Sequence, residues 1–192
     1  MVTGIDEVGR GPLAGPVVVA AVYLIDSDFS CRIDDSKKLT HCLRHAAFLE
    51  IAQKAVFGVG VVSEAVFDEV NISRAAESAA DLALGQLFRR MKRAYPQRLE
   101  RPFLLFDGGL RAHWPCDYRQ IIGGDGLSLS IAAASIVAKV LRDRMMDIYD
   151  RRYPDYGFAR HKGYGTARHR QAIRQKGLCA IHRRSFCRGV LG

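Results

Sequence analysis

No C-x-x-C pair occurs in these 192 residues, and no apolar run is long enough to span a bilayer. The five cysteines, Cys31, Cys42, Cys116, Cys179 and Cys187, are odd in number and scattered, which speaks against a disulfide framework and a zinc knuckle. A reducing, cytoplasmic setting fits that usage. The N-terminal stretch has no basic region followed by a cleavage site, so neither export nor a membrane anchor is expected. Internal repeats and low-complexity linkers are missing too, which excludes solenoid and linker-joined architectures. One absence is local: residues 156–192 contain no Asp or Glu.

That same segment holds nine Lys or Arg, while the remainder balances 20 bases against 20 acids, so the net charge of +9 resides in the tail. Clustered cations of this kind suit a polyanion, because bound phosphates release counterions. A solvated basic surface is the plainer alternative. The length accommodates one α/β core of residues 1–155 with a small helical extension of residues 156–192.

Periodicity supplies the elements. Thr3 to Asp6 and Val17 to Ile25 read as strands that could form a hairpin. Thr40 caps a helix to Ala55 with Leu43, Ala47, Ile51 and Ala55 on one face, and Phe57 to Val62 is a strand. Asn71 to Tyr95 is a long helix with Ile72, Ala76, Ala79, Ala80, Ala83, Leu84, Leu87 and Met91 inward and cations at its C-terminal end. "RPFLLFDGG" and "QIIGGDG" are strands that stop at a carboxylate and glycines. The helix that follows places Ile131, Ala134, Ala138, Leu141 and Met145 at core spacing, and Thr166 to Gly177 is a short capped helix.

In an open α/β sheet, sites form where strands finish. Asp6, Asp107 and Asp125 each stand at such an end beside glycine, in "GIDE", "FDGG" and "GGDG". Carboxylates gathered there repel one another unless cations neutralise them, and oxygen ligands of this type suit Mg²⁺ or Mn²⁺. Singly, each acid could equally be a turn residue or a helix cap. Adjacent Asp6 and Glu7 would point to opposite faces of a regular strand, so the strand must end or twist there for both to serve one site.

The blocks "GIDEVGRGPLAGPVVVAAV", "DDSKKL", "LLFDGG", "GGDGLSLSIAAASIVAKVLRDRMM", "YPDYGFARHKGYGT" and "HRRSF" resemble, in order, the signature blocks of bacterial ribonuclease HII, from residue 4 to residue 186. The resemblance implies a ribonuclease H-like fold, a central mixed sheet flanked by helices, with a small helical C-terminal extension. It implies a metal-dependent endonuclease that cuts 5′ of ribonucleotides embedded in duplex DNA and the RNA strand of hybrids, leaving 3′-hydroxyl and 5′-phosphate ends. By position, it makes Asp6, Glu7, Asp107 and Asp125 the metal-binding carboxylates. Gly9, Arg10 and Gly11 become the element that reads the ribose 2′-hydroxyl, Tyr164 the residue against the scissile junction, and Ser36, Lys37 and Lys38 part of the backbone-holding block. Glycines permit the close approach such reading needs, and the 2′-hydroxyl is what separates RNA from DNA.

Gly126 departs from the family pattern, which often has Ser or Ala there, and is expected to loosen the loop of Asp125. Arg10 could instead pair with an acid, Lys37 and Lys38 could be an exposed turn, and Tyr164 could be packing. His161, His169 and His182 read as surface or phosphate-facing residues, and Asp143 as an ion-pair partner within its helix. A monomer acting on nucleic acid, involved in ribonucleotide removal, is the resulting expectation. Two rivals stand beside it: a related ribonuclease HIII or resolvase-like nuclease lacking the "GRG" reader, and a non-catalytic nucleic-acid-binding protein whose acids are structural. Convergence of Asp6, Asp107 and Asp125 on one cleft facing the basic segment would separate catalysis from binding.

Overall fold

The two β-branched segments that flank the first Gly- and Pro-rich stretch pair as a hairpin. β1 (Val2–Val8) lies antiparallel to β2 (Val17–Leu24), with Asp6 opposite Ala20 and Glu7 opposite Val19. The computed structural model describes residues 1–99 and 102–191, so Arg101 of the "RPFLLFDGG" motif and Gly192 of the extension lie outside the described residues. α1 (His41–Lys54) is capped by Thr40, whose hydroxyl accepts from the Leu43 amide, and leads directly into β3 (Ala55–Val62), antiparallel to β2. Two parallel strands complete the sheet, β4 (Phe103–Asp107) beside β1 and β5 (Asp117–Ile121) beside β4. The order is β3-β2-β1-β4-β5, a mixed sheet as expected.

Alternation along each strand assigns its side chains to two cores. Ile5, Val17, Val19, Leu104 and Phe106 pack on α2 (Ile72–Ala94) through its alanines and leucines. Gly58 and Gly60 bring β3 close against that helix, since a Cβ at either would strike the α2 backbone near Ala83 or Ala79. On the other face, Val18, Ala20 and Val22 pack on α3 (Leu129–Arg152) and α1. Every residue of α3 from Ser130 to Ala138 is buried, so its first half is enclosed all round rather than along one stripe. Leu141 and Met145 are only partly buried on this core, and Leu43 of α1 is exposed, against expectation.

The C-terminal part forms a third core. Tyr156, Phe158, Ala172, Ile173, Ile181, Cys187 and Val190, from α4 (Phe158–His161), α5 (Ala167–Lys176), α6 (Arg184–Leu191) and their connections, enclose Leu13, Ala14 and Met146. The histidine expectation is overturned here. His169 and His182 are 0% and 5% exposed, their Nε2 atoms are 3.1 Å apart, and His161 stacks on His169 at 4.3 Å. Phe158 packs edge-on against His161 and His169, which explains the burial: these are aromatic core rings with satisfied nitrogens, not phosphate contacts. The basic tail is also less available than its composition implies, since Arg183 is fully buried and Lys162 pairs with Asp147.

Candidate active site

β1 does not end at its acids. It pairs with β2 through Val8, and only at Gly9, with φ of +98°, does the chain turn away. Asp6 and Glu7 therefore diverge as strand geometry demands. Asp6 faces the α3 side, where Asp107 at the end of β4 and Asp125 beyond β5 meet it: one carboxylate oxygen from each lies within 4.8 Å of the others. Asp125 sits in a short 3₁₀ turn, Gly124–Gly126, ahead of α3, whose N-cap is Ser128, so it is not the helix cap. The turn is tied by amides of Gly126, Leu127 and Ser128 to the carbonyls of Gly123 and Gly124, and by Gly124 N–H donating to Asp107 Oδ1 at 2.7 Å. Gly126 is exposed within this hydrogen-bonded turn, and a Cβ there would meet only Lys38 Nζ at 3.5 Å.

Glu7 is outside the group of three. One of its oxygens accepts from Arg10 at 3.3 Å, while Oε2 is buried without a partner. A cleft of about 130 Å³ joins Asp6 and Glu7 to Ser36, Lys37, Ser135, Lys139 and Tyr164. Asp6 thus links the group of three acids to a cleft that Tyr164 of the basic segment also lines.

The electrostatics are those of crowded, buried acids. Burial pushes the Asp6 carboxyl up to about 8, with the neighbouring Glu7 and Asp107 adding to the rise. Burial likewise raises Glu7 against the opposing pull of Arg10, and raises Asp125 together with Asp35 and Asp107, against Lys37. Burial works against the charge of Lys37, but Asp35, Asp125, Asp6 and Asp107 outweigh it and raise its pKa. Lys37 Nζ stands 3.8 Å from Asp125. A divalent cation fits this donor set: the oxygens are hard, close and mutually repelling, and a buried Glu7 oxygen is unused.

The remaining candidates divide. Lys38 pairs with Asp34 at 3.2 Å, and Ser36 is buried, accepting from Ser135 at 2.9 Å. Arg10 makes the acid pair weighed as its alternative and also reaches Ser73 at 3.4 Å. Tyr164 is 43% exposed, its ring 5.9 Å from the guanidinium of Arg142. Gly9 is the glycine the fold requires, since a Cβ would lie 2.6 Å from Pro16 O, whereas Gly11 is exposed with open space around it. Asp143 pairs with Lys139 at 2.8 Å, within its helix. Ser135, Lys139, Arg142 and Arg183 lay unremarked inside motifs. Their only sequence signal was polar residues on an otherwise apolar helix and an arginine pair after histidine. A larger cavity of about 530 Å³, lined by Asp81, Leu82, Phe88 and Trp114 on α2 and its neighbouring loop, is lined by none of Asp6, Glu7, Asp107 and Asp125.

A mixed sheet whose central parallel pair carries Asp6 within β1 and Asp107 at the end of β4, set beside a basic helical appendage, has the architecture of a ribonuclease H-type nuclease. The family model described as Ribonuclease HII matches residues 3–189. Ribonuclease HII of Acetivibrio thermocellus is 46% identical over 193 residues, covering 100% of this chain and 71% of that protein. Ribonuclease HII of Syntrophus aciditrophicus is 48% identical, covering 97% and 84%. The chain belongs to the ribonuclease HII family, and is an endoribonuclease of the ribonuclease H class acting on RNA–DNA substrates.

Solved structures share the fold. RNase HII of Archaeoglobus fulgidus, solved with PCNA, superposes with a TM-score of 0.74 at 24% identity, covering 100% of this chain and 97% of that one. An RNase HIII named Bst, in complex with Mn²⁺, gives 0.65 at 20%, covering 92% and 62%. No helix among the described residues is long and apolar enough to cross a membrane.

Proposed function

We propose that the protein cuts duplex DNA on the 5′ side of an embedded ribonucleotide, and the RNA strand of hybrids, leaving 3′-hydroxyl and 5′-phosphate ends. The observation that carries this reading is the convergence of Asp6, Asp107 and Asp125 within 4.8 Å, with Asp6 also lining the cleft whose wall includes Tyr164. Asp6, Glu7, Asp107 and Asp125 hold divalent cations, Mg²⁺ or Mn²⁺, with Glu7 contributing its unpartnered oxygen. Cations held there supply water activation and neutralisation of charge developing on the scissile phosphate.

The chain's own groups do the rest. Lys37 and Lys139 bring positive charge to the cleft wall for the phosphates, with Lys38 and Ser36 fixing the loop that carries Lys37. Gly11, bare and exposed, lets the main chain approach a sugar, and Tyr164 packs against the junction. The exposed cations of residues 156–192 hold the flanking duplex of a monomeric, cytoplasmic enzyme.

The test uses an end-labelled duplex with one ribonucleotide, incubated with Mg²⁺, with Mn²⁺ or with neither. A metal-dependent cut 5′ of the ribonucleotide, with a 3′-hydroxyl that a polymerase extends, is expected. Cleavage 3′ of it, or equal cleavage of all-DNA duplex, would overturn the reading.

A further inference from the structure

The carbonyls of the β1–β2 connection, residues 9–16, are bound by two arginines: Arg142 takes Ala14 O and Pro16 O, and Arg183 takes four others. Arg183 donates from Nη2 to Gly9 O at 2.6 Å, from Nη1 to Arg10 O and Pro12 O at 3.0 Å each, and from Nε and Nη2 to Gly15 O at 2.9 and 2.6 Å. The guanidinium is fully buried, 4.1 Å from the ring centre of Phe67, and its hydrogen bonds among the described residues all go to carbonyls. Burial, with the nearby Arg142 adding to it, brings its pKa down to about 9. Glu64 acts on it electrostatically without a hydrogen bond or close ion pair to it, and a charge sequestered in this way is an expensive means of bracing a loop. What it provides that neutral contacts would not is a planar fork able to fix several carbonyl directions at once.

Direction is the consequence. Every peptide bond described is trans, so each carbonyl points opposite to the N–H that follows it. Drawing Gly9 O and Arg10 O onto Arg183 turns the N–H groups of Arg10 and Gly11 the other way. The next clamped unit behaves differently: with Pro12 O inward, Leu13 N–H is used within the protein, donating to Gly163 O at 2.9 Å, one residue from Tyr164. Two successive outward amides beside an unobstructed Gly11 are what a sugar hydroxyl would meet.

We propose that Arg183 is a positioning residue for ribose recognition, orienting the amides of Arg10 and Gly11 by holding the preceding carbonyls. The proposal rests on Gly9–Gly11 being the ribose-contacting element. Lys cannot replace it, because a point ammonium with three donors does not span four carbonyls.

The experiment measures kcat/KM on a duplex with one ribonucleotide and Kd for the same duplex without the 2′-hydroxyl, both with Mg²⁺ at one salt concentration. Arg183→Lys should lose at least tenfold in the first while changing the second by less than twofold. A folded Arg183→Lys that keeps its cleavage, or that loses both quantities equally, overturns the proposal. Should Arg183→Lys fail to fold, Phe67→Leu decides. It removes the ring under the guanidinium but leaves the fork, and should give a loss of about threefold in cleavage alone; no loss, or an equal one, overturns the proposal. Gly11→Ala separates the two levels. It fits the free protein without strain, so if it retains cleavage the ribose reading itself fails and the proposal falls with it. If Gly11→Ala loses cleavage and Arg183→Lys does not, only the role of Arg183 is wrong.

Discussion

Two regions of this molecule bury charge, and they do so in opposite ways. At the strand ends, three carboxylates face one another with one exposed lysine 3.8 Å away, and Asp6 is driven up to about 8. Behind the hairpin loop, Arg142 and Arg183 are equally buried, yet their donors are occupied by carbonyls of Ala14, Pro16 and Lys162, and of Gly9, Arg10, Pro12 and Gly15. The first region gathers acids that the chain's own cations only partly offset. The second is complete, and gives shape rather than chemistry. Buried charge marks a reactive site only where its partners are missing from the chain.

If that contrast is right, removing a charge should act oppositely on activity and on stability at the acids. Asp6→Asn or Asp107→Asn should lower kcat at least 10³-fold in single-turnover assays while the protein still binds duplex. Retained turnover would remove that residue from the site.

The metal-free protein should show the stability side. A carboxyl raised in the folded state contributes fully below its unfolded pKa, and that contribution is lost as pH rises through the folded value, here between about 4 and about 8 for Asp6. Asp6→Asn should therefore stabilise metal-free protein by ~1–2 kcal/mol at pH 8 and by nearly nothing at pH 4, measured by urea unfolding in EDTA. A destabilised variant at pH 8 would mean the cluster is already neutralised within the chain.

The buried histidines reverse the sign. His169 and His182 are held down to about 4, mainly by burial, so the unfolded chain takes up their protons first as pH falls below 6.5. Stability should fall by ~1–2 kcal/mol between pH 6.5 and 4, and His182→Gln should flatten that slope. An unchanged slope would place the acid sensitivity elsewhere.

The smallest effect concerns the exposed tail. Replacing Arg168 and Arg174 with Gln should reduce the slope of log K against log salt by about 0.9 for each phosphate that is no longer neutralised, without altering the cleavage position. An unaltered slope would show that the duplex runs over another face.

Strands, long helices and the three aspartates were legible in the sequence because each depends on local pattern: an unbroken apolar run from Val17 to Ile25, alanines spaced along α2, acids beside glycine. Glu7 is different. Its neighbour along the chain joins the cluster and it does not, since strand alternation outweighs adjacency, and its pairing with Arg10 is visible only once Gly9 turns. The histidines were misread because polar residues in a basic tail resemble surface, while the rings that bury them, Tyr156 and Phe158, act through tertiary packing. Arg183 looked like one more tail cation. Nothing local distinguishes it from Arg184, which is exposed; only contacts up to 174 residues away do so.

That separation sets an order of assembly. Contacts so distant in sequence pay the largest loop-closure cost and form late. The hairpin loop precedes by up to 174 residues the residue that fixes its carbonyls, so it leaves the ribosome first. A chain stalled before residue 183 would already carry Asp6, Asp107 and Asp125 at its strand ends, yet its loop would lack the clamp. On the reading proposed above, the groups for cutting precede in the chain the group that shapes the choice of where to cut.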